Sequence, residues 1–541
     1  MSRLLAAVIV VAGFIAYWNG LSTPFLFDDE TGIVSNQQIR EVWPLDEALS
    51  PPAETPVARR PVVNLTLAIN YAFSGLETRG YHVTNLLIHL LAALTLFGIV
   101  RRTLRGPKFS GKRVNDLRSS LARDSMWVAF GAALIWTVHP LNSELIEYVV
   151  QRTESLMALF YLLTLYSAIR AFEAGRRGGG WRFAAVLSCA AGMLSKETMV
   201  TAPIVVLLYD RVFLFDSFRQ AMQKRRPFYL ALAATWVIVA VALASEGRSS
   251  VGFSSGTSPW TYLLNQADVV TQYLKLTVWP RTLVLDYGLP QPLTLPDVIV
   301  PASVLLLLLA LAIAALICAP EIGFLGACFF IVLAPTSSIV PIATEVGAER
   351  RMYLPLAGLV VLVVVAIYML AWRITGQRRA VMATVIVAVA MSVAATAGTI
   401  ARTREYSSRL DLTRTIVERR PTGRAHFLLA TELIAARREE EAMEQFRASA
   451  RDYPPAHFGL GVELAGKQRI DEAITELNEF IRLRPDDPVV VPARDLLGQL
   501  YLAKGQFGAA EDQFTLVLEK DPSHASARRY LSILRSRGRP N

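Results

Sequence analysis

The chain has 541 residues, of which 53% are hydrophobic and only 18% charged, where a soluble protein carries about a quarter charged. With a mean hydropathy of +0.37, this excludes a soluble enzyme, a disordered chain and a collagen-like chain, and it demands many residues that need not face water. The net charge of +10 is uneven: residues 1–424 hold 39 basic and 27 acidic residues, and residues 425–541 hold 16 and 18. Basic excess beside apolar segments reads as loop charge against lipid headgroups, not as nucleic-acid binding. Cys189, Cys318 and Cys328 all lie in apolar runs and form neither a disulfide framework nor a zinc site.

Eleven segments approach the roughly 20 apolar residues that cross a bilayer. They lie near 3–19, 83–100, 126–138, 154–172, 181–195, 199–215, 228–245, 297–318, 321–334, 353–372 and 380–400, and those at 126–138, 181–195 and 321–334 are short. The segment 266–280 is amphipathic and is placed at the membrane interface. The first segment follows Arg3 and ends at Tyr17 and Trp18, an interfacial belt with no small-residue cleavage site, so it is read as an anchor.

Loop charge sets the expected orientation. Arg101, Arg102, Arg105, Lys108, Lys112, Arg113, Arg118 and Arg123 crowd one loop, and Arg211, Arg219, Lys224, Arg225 and Arg226 another. Both are predicted cytoplasmic, with Arg176, Arg177, Arg182, Arg373, Arg378 and Arg379 on the same side. The loops 20–82, 139–153, 195–198, 246–296 and 335–352 then face outward. The N-terminus is cytoplasmic, and an odd span count puts the C-terminal region outside.

Beyond residue 425 three helix pairs align by an Ala twelve residues before a Pro: Ala442 and Pro454, Ala473 and Pro485, Ala510 and Pro522. Phe446, Leu477 and Phe514 follow each Ala by four, and Leu460-Gly461 matches Leu497-Gly498. This is the tetratricopeptide pattern, whose period is about 34 residues. The steps of 31 and 37 place a six-residue excess between Pro485 and Leu497, and 525–537 reads as a capping helix. Such arrays present a concave surface, most often to peptide. The fold class is therefore all-α, a polytopic membrane bundle over 1–405, a linker over 406–424, and about three tetratricopeptide repeats over 425–541.

Polar groups at the mouth of an apolar bundle need a partner or a task. Four clusters fall on the expected outer side. Asp28, Asp29 and Glu30 follow the first span; adjacent carboxylates there activate a hydroxyl, bind a metal, or cap a turn. His139-Pro140 opens a predicted external amphipathic helix carrying Glu144, Glu147, Gln151 and Glu154 on one face, with Arg152 beside them. Lys196 and Glu197 join two apolar runs with almost no loop, either ending the spans by snorkelling or serving the site. Arg350 and Arg351, before Tyr353, violate the outside charge bias; a guanidinium fork there suits a lipid phosphate or an ion pair with Glu345 or Glu349. His82, Asn85 and His89 share one face of the second span. A P-loop, a dinucleotide fingerprint and His-Glu-x-x-His or Cys-x-x-Cys metal motifs are all missing from the sequence.

These residues also come in a familiar order: Phe27-Asp28-Asp29 with Asn36, Arg60-Pro61, Tyr81-His82 with Asn85 and His89, His139-Pro140 with Glu144 and Arg152. Ser195-Lys196-Glu197 with Pro203 and Asp210, Tyr273-Leu274 with Pro280 and Asp286, and Glu349-Arg350 with Tyr353-Leu354-Pro355 complete it. Over nearly its whole length the chain resembles the transmembrane-and-tetratricopeptide O-mannosyltransferases and their bacterial relatives, within the GT-C glycosyltransferase superfamily. It departs from the eukaryotic members in having fewer repeats. The resemblance implies an integral-membrane glycosyltransferase. It would move a mannose-like sugar from a polyprenyl- or dolichyl-phosphate to Ser/Thr hydroxyls of proteins on the non-cytoplasmic side, with inversion. It carries the catalytic Asp, as general base, over to Asp28 or Asp29. Arg351, Arg350, Lys196 and Tyr353 are expected at the donor phosphate, and Glu30, His139, Glu144, Glu147, Arg152, Glu197, His82 and Asp286 as substrate or positioning residues, with Arg152, Glu144 and Glu147 positioning the sugar or the Asp loop. The partners are the lipid-linked sugar, membrane lipids and an acceptor polypeptide held by the repeats, with no nucleic acid. Oxygen-rich loops suit Mg²⁺ or Mn²⁺, though no residue pattern demands a metal. The short array favours a bacterial inner membrane. The rival readings are a non-catalytic anchored scaffold and a lipid-linked glycan ligase or flippase.

Overall fold

Helix satisfies every backbone N–H and C=O within one segment, which hydrocarbon requires of a spanning chain. The computed structural model describes residues 1–109, 117–244, 252 and 256–537. Lys112 and Arg113 of the first basic loop lie outside the described residues. The chain divides into two units, 1–408 and 409–541.

The first unit contains α1 (Ser2–Tyr17), a short α2 (Leu45–Ala48), α3 (Pro61–Ser74), α4 (Thr78–Leu104), α5 (Leu117–Thr137), α6 (Ser143–Glu147), α7 (Arg152–Glu173), α8 (Gly179–Met193), α9 (Ala202–Tyr209), α10 (Phe218–Ala234), α11 (Trp236–Ala244), α12 (Pro259–Val278), α13 (Leu295–Cys318), α14 (Pro320–Leu333), α15 (Tyr353–Thr375) and α16 (Gln377–Glu405). Prolines open α3, α12 and α14, where the missing N–H has no helical partner anyway. Thr294 and Asp297 cap α13 reciprocally, and Gly376, with φ +74°, turns the chain from α15 into α16.

Seven helices among the described residues are long and apolar enough to cross a membrane: 2–20, 78–104, 149–173, 218–244, 295–318, 349–375 and 379–405. The other four expected segments are helical but shorter or more polar. α5 begins with a charged turn, α8 and α14 have 15 and 14 residues, and α9 has only eight between a 3₁₀ turn and a π turn. α13 is apolar all round, with Leu306 and Leu307 exposed at 66% and 60%, as a lipid-facing helix is. α4, α5 and α7 instead bury most of their length and form the core beneath the polar mouth. The amphipathic 266–280 segment is part of α12, which buries Tyr262, Gln266 and Tyr273 and leaves Trp260 and Val278 exposed.

The second unit runs α17 (Arg409–Arg419), α18 (Gly423–Ala435), α19 (Glu439–Ser449), α20 (Pro455–Gly466), α21 (Ile470–Leu483), α22 (Val490–Ala503), α23 (Phe507–Lys520) and α24 (Ala525–Arg537). α18 to α23 are the three expected pairs, and α24 is the expected final helix. The small residues are dictated by contact: a Cβ on Gly461 would lie 2.8 Å from Leu477, and one on Gly498 2.6 Å from Phe514. The stretch 406–424, read from sequence as a linker, carries α17. Leu412 and Ile416 are buried there, and Leu410 and Val417 pack on Leu429, Leu433 and Ala442. That apolar stripe covers the open face of the first repeat, which an array end requires.

Candidate functional site

The loop after α1 is built around Asp29. Its carboxylate is fully buried and accepts the Leu26 N–H at 2.9 Å and the Val150 N–H at 2.7 Å. Burial pushes it up to about 7, although the backbone donors pull the other way. Oδ2 thus closes a turn within the loop, and Oδ1 ties the loop to the residues before α7. Asp28 is only half-buried, and its N–H donates to Tyr148 Oη at 2.8 Å. Phe27 holds φ at +31°, a left-handed conformation a bulky side chain rarely adopts. That turn presents neighbouring carboxylates to different surroundings, Asp29 inward and Asp28 toward the mouth. Glu30 is exposed at the start of a π turn.

The predicted amphipathic helix at 139–154 is replaced by three short turns, Pro140–Asn142, α6 and Val149–Gln151, all buried. The break falls at Tyr148, whose extended ψ of 99° delivers its hydroxyl to Asp28 and the Val150 N–H to Asp29. The acidic stripe is therefore split. Glu144 accepts Arg350 Nη1 at 2.6 Å and the Arg350 N–H at 3.0 Å; burial raises its carboxyl while Arg350 opposes. Glu147 accepts Thr23 Oγ1 at 2.7 Å and is pushed up to about 8 by burial, its other oxygen having no protein donor. That carboxylate fills the space beside Gly20, where a Cβ would come within 1.9 Å of it. Glu154 pairs with Lys196.

Several expected substrate residues are instead braces. Fully buried Arg152 donates to Asn85 Oδ1 at 2.7 Å and to the carbonyls of Thr66 and Tyr81 at 3.1 and 3.2 Å. His82 holds the carbonyls of Ile146 and Thr23 at 2.8 and 2.9 Å. His139 bonds to the Thr277 carbonyl and the Leu141 N–H, and burial lowers it to about 4, so it is neutral. Asp286 accepts the Gly288 N–H at 2.6 Å in a tight turn.

The cationic side also differs from expectation. Arg351 spends its guanidinium on Tyr262 Oη at 3.0 Å, the Thr336 carbonyl at 3.0 Å and Glu345 at 2.8 Å, with its side chain only 2% exposed. It bolts the 334–349 loop to α12 and is closed to a ligand. Tyr353 is fully buried, and its hydroxyl is bonded to His89 Nδ1 at 2.7 Å, so it too faces inward. Arg350 reaches further out, between Glu144 and Glu345. Glu345 is raised by burial, but Arg350 and Arg351 override this and hold it down to about 2.

Arg60 belongs to the Arg60-Pro61 motif, to which the sequence alone assigns no role. Arg60 pairs with half-exposed Glu197 at 3.4 Å and bonds to the Pro56 carbonyl at 2.6 Å, while its buried Nε has no acceptor. Burial, with Arg60 and Arg350 close by, lowers the Lys196 amine against the pull of Glu154. Arg60, Lys196 and Arg350 thus gather at one place. The fields of both Asp28 and Arg350 reach Tyr148, which brings the acidic loop and the cations to the same segment. The signal was available: Arg60 sits on an acid-rich loop predicted to face outward, against the same charge bias that singled out Arg350.

Below this mouth runs an apolar cavity of about 310 Å³, walled by Leu96, Val100, Tyr161, Val205, Phe324, Cys328 and the α15 face from Leu354 to Met369. Those α15 residues cover ~22 Å of helix. The cavity begins directly beyond the Arg350–Tyr353 turn. A metal cage is not assembled: Asp29 is committed to backbone donors, and among the described residues no group of three or more His, Cys, Asp or Glu is placed to hold an ion.

Residues 120–244 match the family described as dolichyl-phosphate-mannose-protein mannosyltransferase, and residues 427–488 and 496–538 match the tetratricopeptide repeat. Protein O-mannosyl-transferase Tmtc2 of Drosophila melanogaster is 26% identical over 51% of this chain and 29% of its own length. Tmtc3 of the same organism is 32% identical over 37% and 23%, and TMTC4 of Mus musculus 26% over 65% and 54%. The chain is similar to these proteins and spans between 23% and 54% of the length of those three curated relatives. ArnT from Cupriavidus metallidurans, solved bound to undecaprenyl phosphate, aligns at 14% identity over 77% of this chain and 80% of its own, with a TM-score of 0.35, too distant to carry an argument. The 120–244 match covers the turns that hold Glu144, Glu147, Arg152, Glu154 and Lys196.

Proposed function

We propose that the chain is a membrane glycosyltransferase that moves a mannose-like sugar from a polyprenyl-phosphate carrier to a Ser/Thr hydroxyl of a protein outside the cytoplasm. The carrying observation is that half-buried Asp28 is bonded through its N–H to Tyr148, which also feels Arg350, while Arg60 and Arg350 flank Lys196, beside a long apolar cavity. The carrier's tail lies in the cavity and its phosphate among the cations. Asp28 accepts the proton of the acceptor hydroxyl. That oxygen bonds to the sugar C1 as the bond from C1 to the phosphate oxygen breaks, with inversion. The leaving phosphate is met by fixed positive charge that needs no reorganisation. Asp29 and His82 hold the loop that carries Asp28, and Arg152 braces α3 and α4 beside it. The repeats bind the acceptor polypeptide, and the outward placement of the site follows from the basic loops on the opposite side. The names of the relatives support the sugar and the acceptor class.

The test is transfer of labelled sugar from a polyprenyl-phosphate donor in membranes. Asp28→Asn should lose about 10²- to 10⁴-fold in rate with an unchanged melting temperature. Asp29→Asn should lower the melting temperature as well, because one of its two buried backbone donors loses its acceptor. Full activity in both Asp28→Ala and Asp29→Ala removes the assignment.

A further inference from the structure

α4 and α7 enclose a second hollow that the proposed reaction does not use. Its volume is about 350 Å³; Leu91, Leu94, Phe97 and Leu163 wall it, and Gly98 lies in its floor. It is distinct from the first cavity. Successive α4 residues rotate by about 100°, so Leu96, Val100 and Thr103 face the first cavity while Leu91, Leu94 and Gly98 face this one. Gly98 is required by its neighbour, since a Cβ there would lie 2.8 Å from the Tyr166 ring.

One end of the hollow is strongly cationic. Arg101 and Arg102 line it beside Tyr166. Arg102 pairs with Glu173 at 2.5 Å and lies over the Tyr166 ring, and Arg170 bonds to Tyr166 Oη at 3.2 Å and stacks on Trp181 at 4.3 Å. Arg105 stands close to Arg101 as well. Glu173 is shared between Arg102 and Arg170, and Arg101 forms no ion pair among the described residues. An apolar trench ending in Arg101 and Arg102, which have only the shared Glu173 between them, is complementary to a molecule with a hydrocarbon chain and an anionic head. A zwitterionic headgroup would bring its own cation into that positive end.

We propose that this hollow binds an anionic glycerophospholipid, with one acyl chain over Gly98 and the phosphate between Arg101 and Arg102. The full chain in detergent, given equal phosphatidylglycerol and phosphatidylcholine and analysed by native mass spectrometry, should retain phosphatidylglycerol selectively. Arg101→Gln with Arg102→Gln should reduce that retention by about tenfold, the worth of one charge-assisted hydrogen bond, while Arg176→Gln with Arg177→Gln on the neighbouring turn should not. Equal retention of the two lipids overturns the proposal, as does retention indifferent to the first pair of substitutions. Displacement by inorganic phosphate alone also overturns it, because the site would then read a free anion and not a lipid. Should the double variant fail to fold, a photoactivatable phosphatidylglycerol on the unaltered chain decides. Label within 91–102 and 163–166 is expected, and label elsewhere sinks the idea. None of these readouts depends on sugar transfer.

Discussion

At the residue scale the mouth is organised by which carboxylates remain charged. Glu147 is the extreme case, buried, bonded to one hydroxyl, and raised to about 8. Its ordinary value lies near 4.5, so between those limits the folded chain binds a proton that the unfolded chain has released. Stability from this group is complete below about pH 4.5 and declines by about 1.4 kcal/mol per pH unit until it is exhausted above pH 8. Glu147→Gln keeps the shape without the titration. Its melting temperature relative to the natural chain should therefore rise steadily from pH 5 to pH 8; equal pH profiles would place the proton elsewhere. Asp28 and Asp29 show what a sequence can reveal at this scale. The pair was legible as a chemical candidate, but its division into an inward brace and an outward group depends on the turn at Phe27 and on a backbone donor far along the chain, at Val150.

At the element scale, periodic segments were readable and broken ones were not. α18 to α24 follow the Ala, Leu-Gly and Pro positions, because each marks a close helix contact. A test follows from the contact of Gly498 with Phe514. Gly498→Val overfills that interface and should cost about 1–3 kcal/mol, read as earlier urea unfolding, whereas Gly508→Ala, with open space around it, should cost little. The region 139–154 misled for a physical reason. Its apolar and polar residues have helical spacing, but the whole segment is buried, so its polar side chains answer to distant partners instead of to solvent. α17 was missed for the opposite reason: its charged residues masked a short apolar stripe of Leu412, Ile416 and Val417.

At the scale of the whole molecule, composition separated a membrane unit from a repeat unit, and the chain divides at 408. The number of full-length spans was less accessible, because α8, α9 and α14 are too short to be recognised by length alone. The two units make different contributions in the proposed function, since every group assigned to chemistry lies before residue 408. Residues 409–541 fused to an unrelated membrane anchor should therefore yield no sugar transfer. Restoration of function by that fusion in a strain lacking the gene would favour the scaffold reading.

The glycine at position 20 carries a last consequence. Its missing side chain and the Glu147 carboxylate are rival tenants of one volume, so the two positions cannot drift independently. Gly20→Ala alone should expel the acid and loosen the anchor where it enters the first loop, lowering the melting temperature. Adding Glu147→Ala should return most of that loss, since the second change vacates the room the first one needs. A double variant no better than the single one would show that the crowding lies somewhere other than between these two residues.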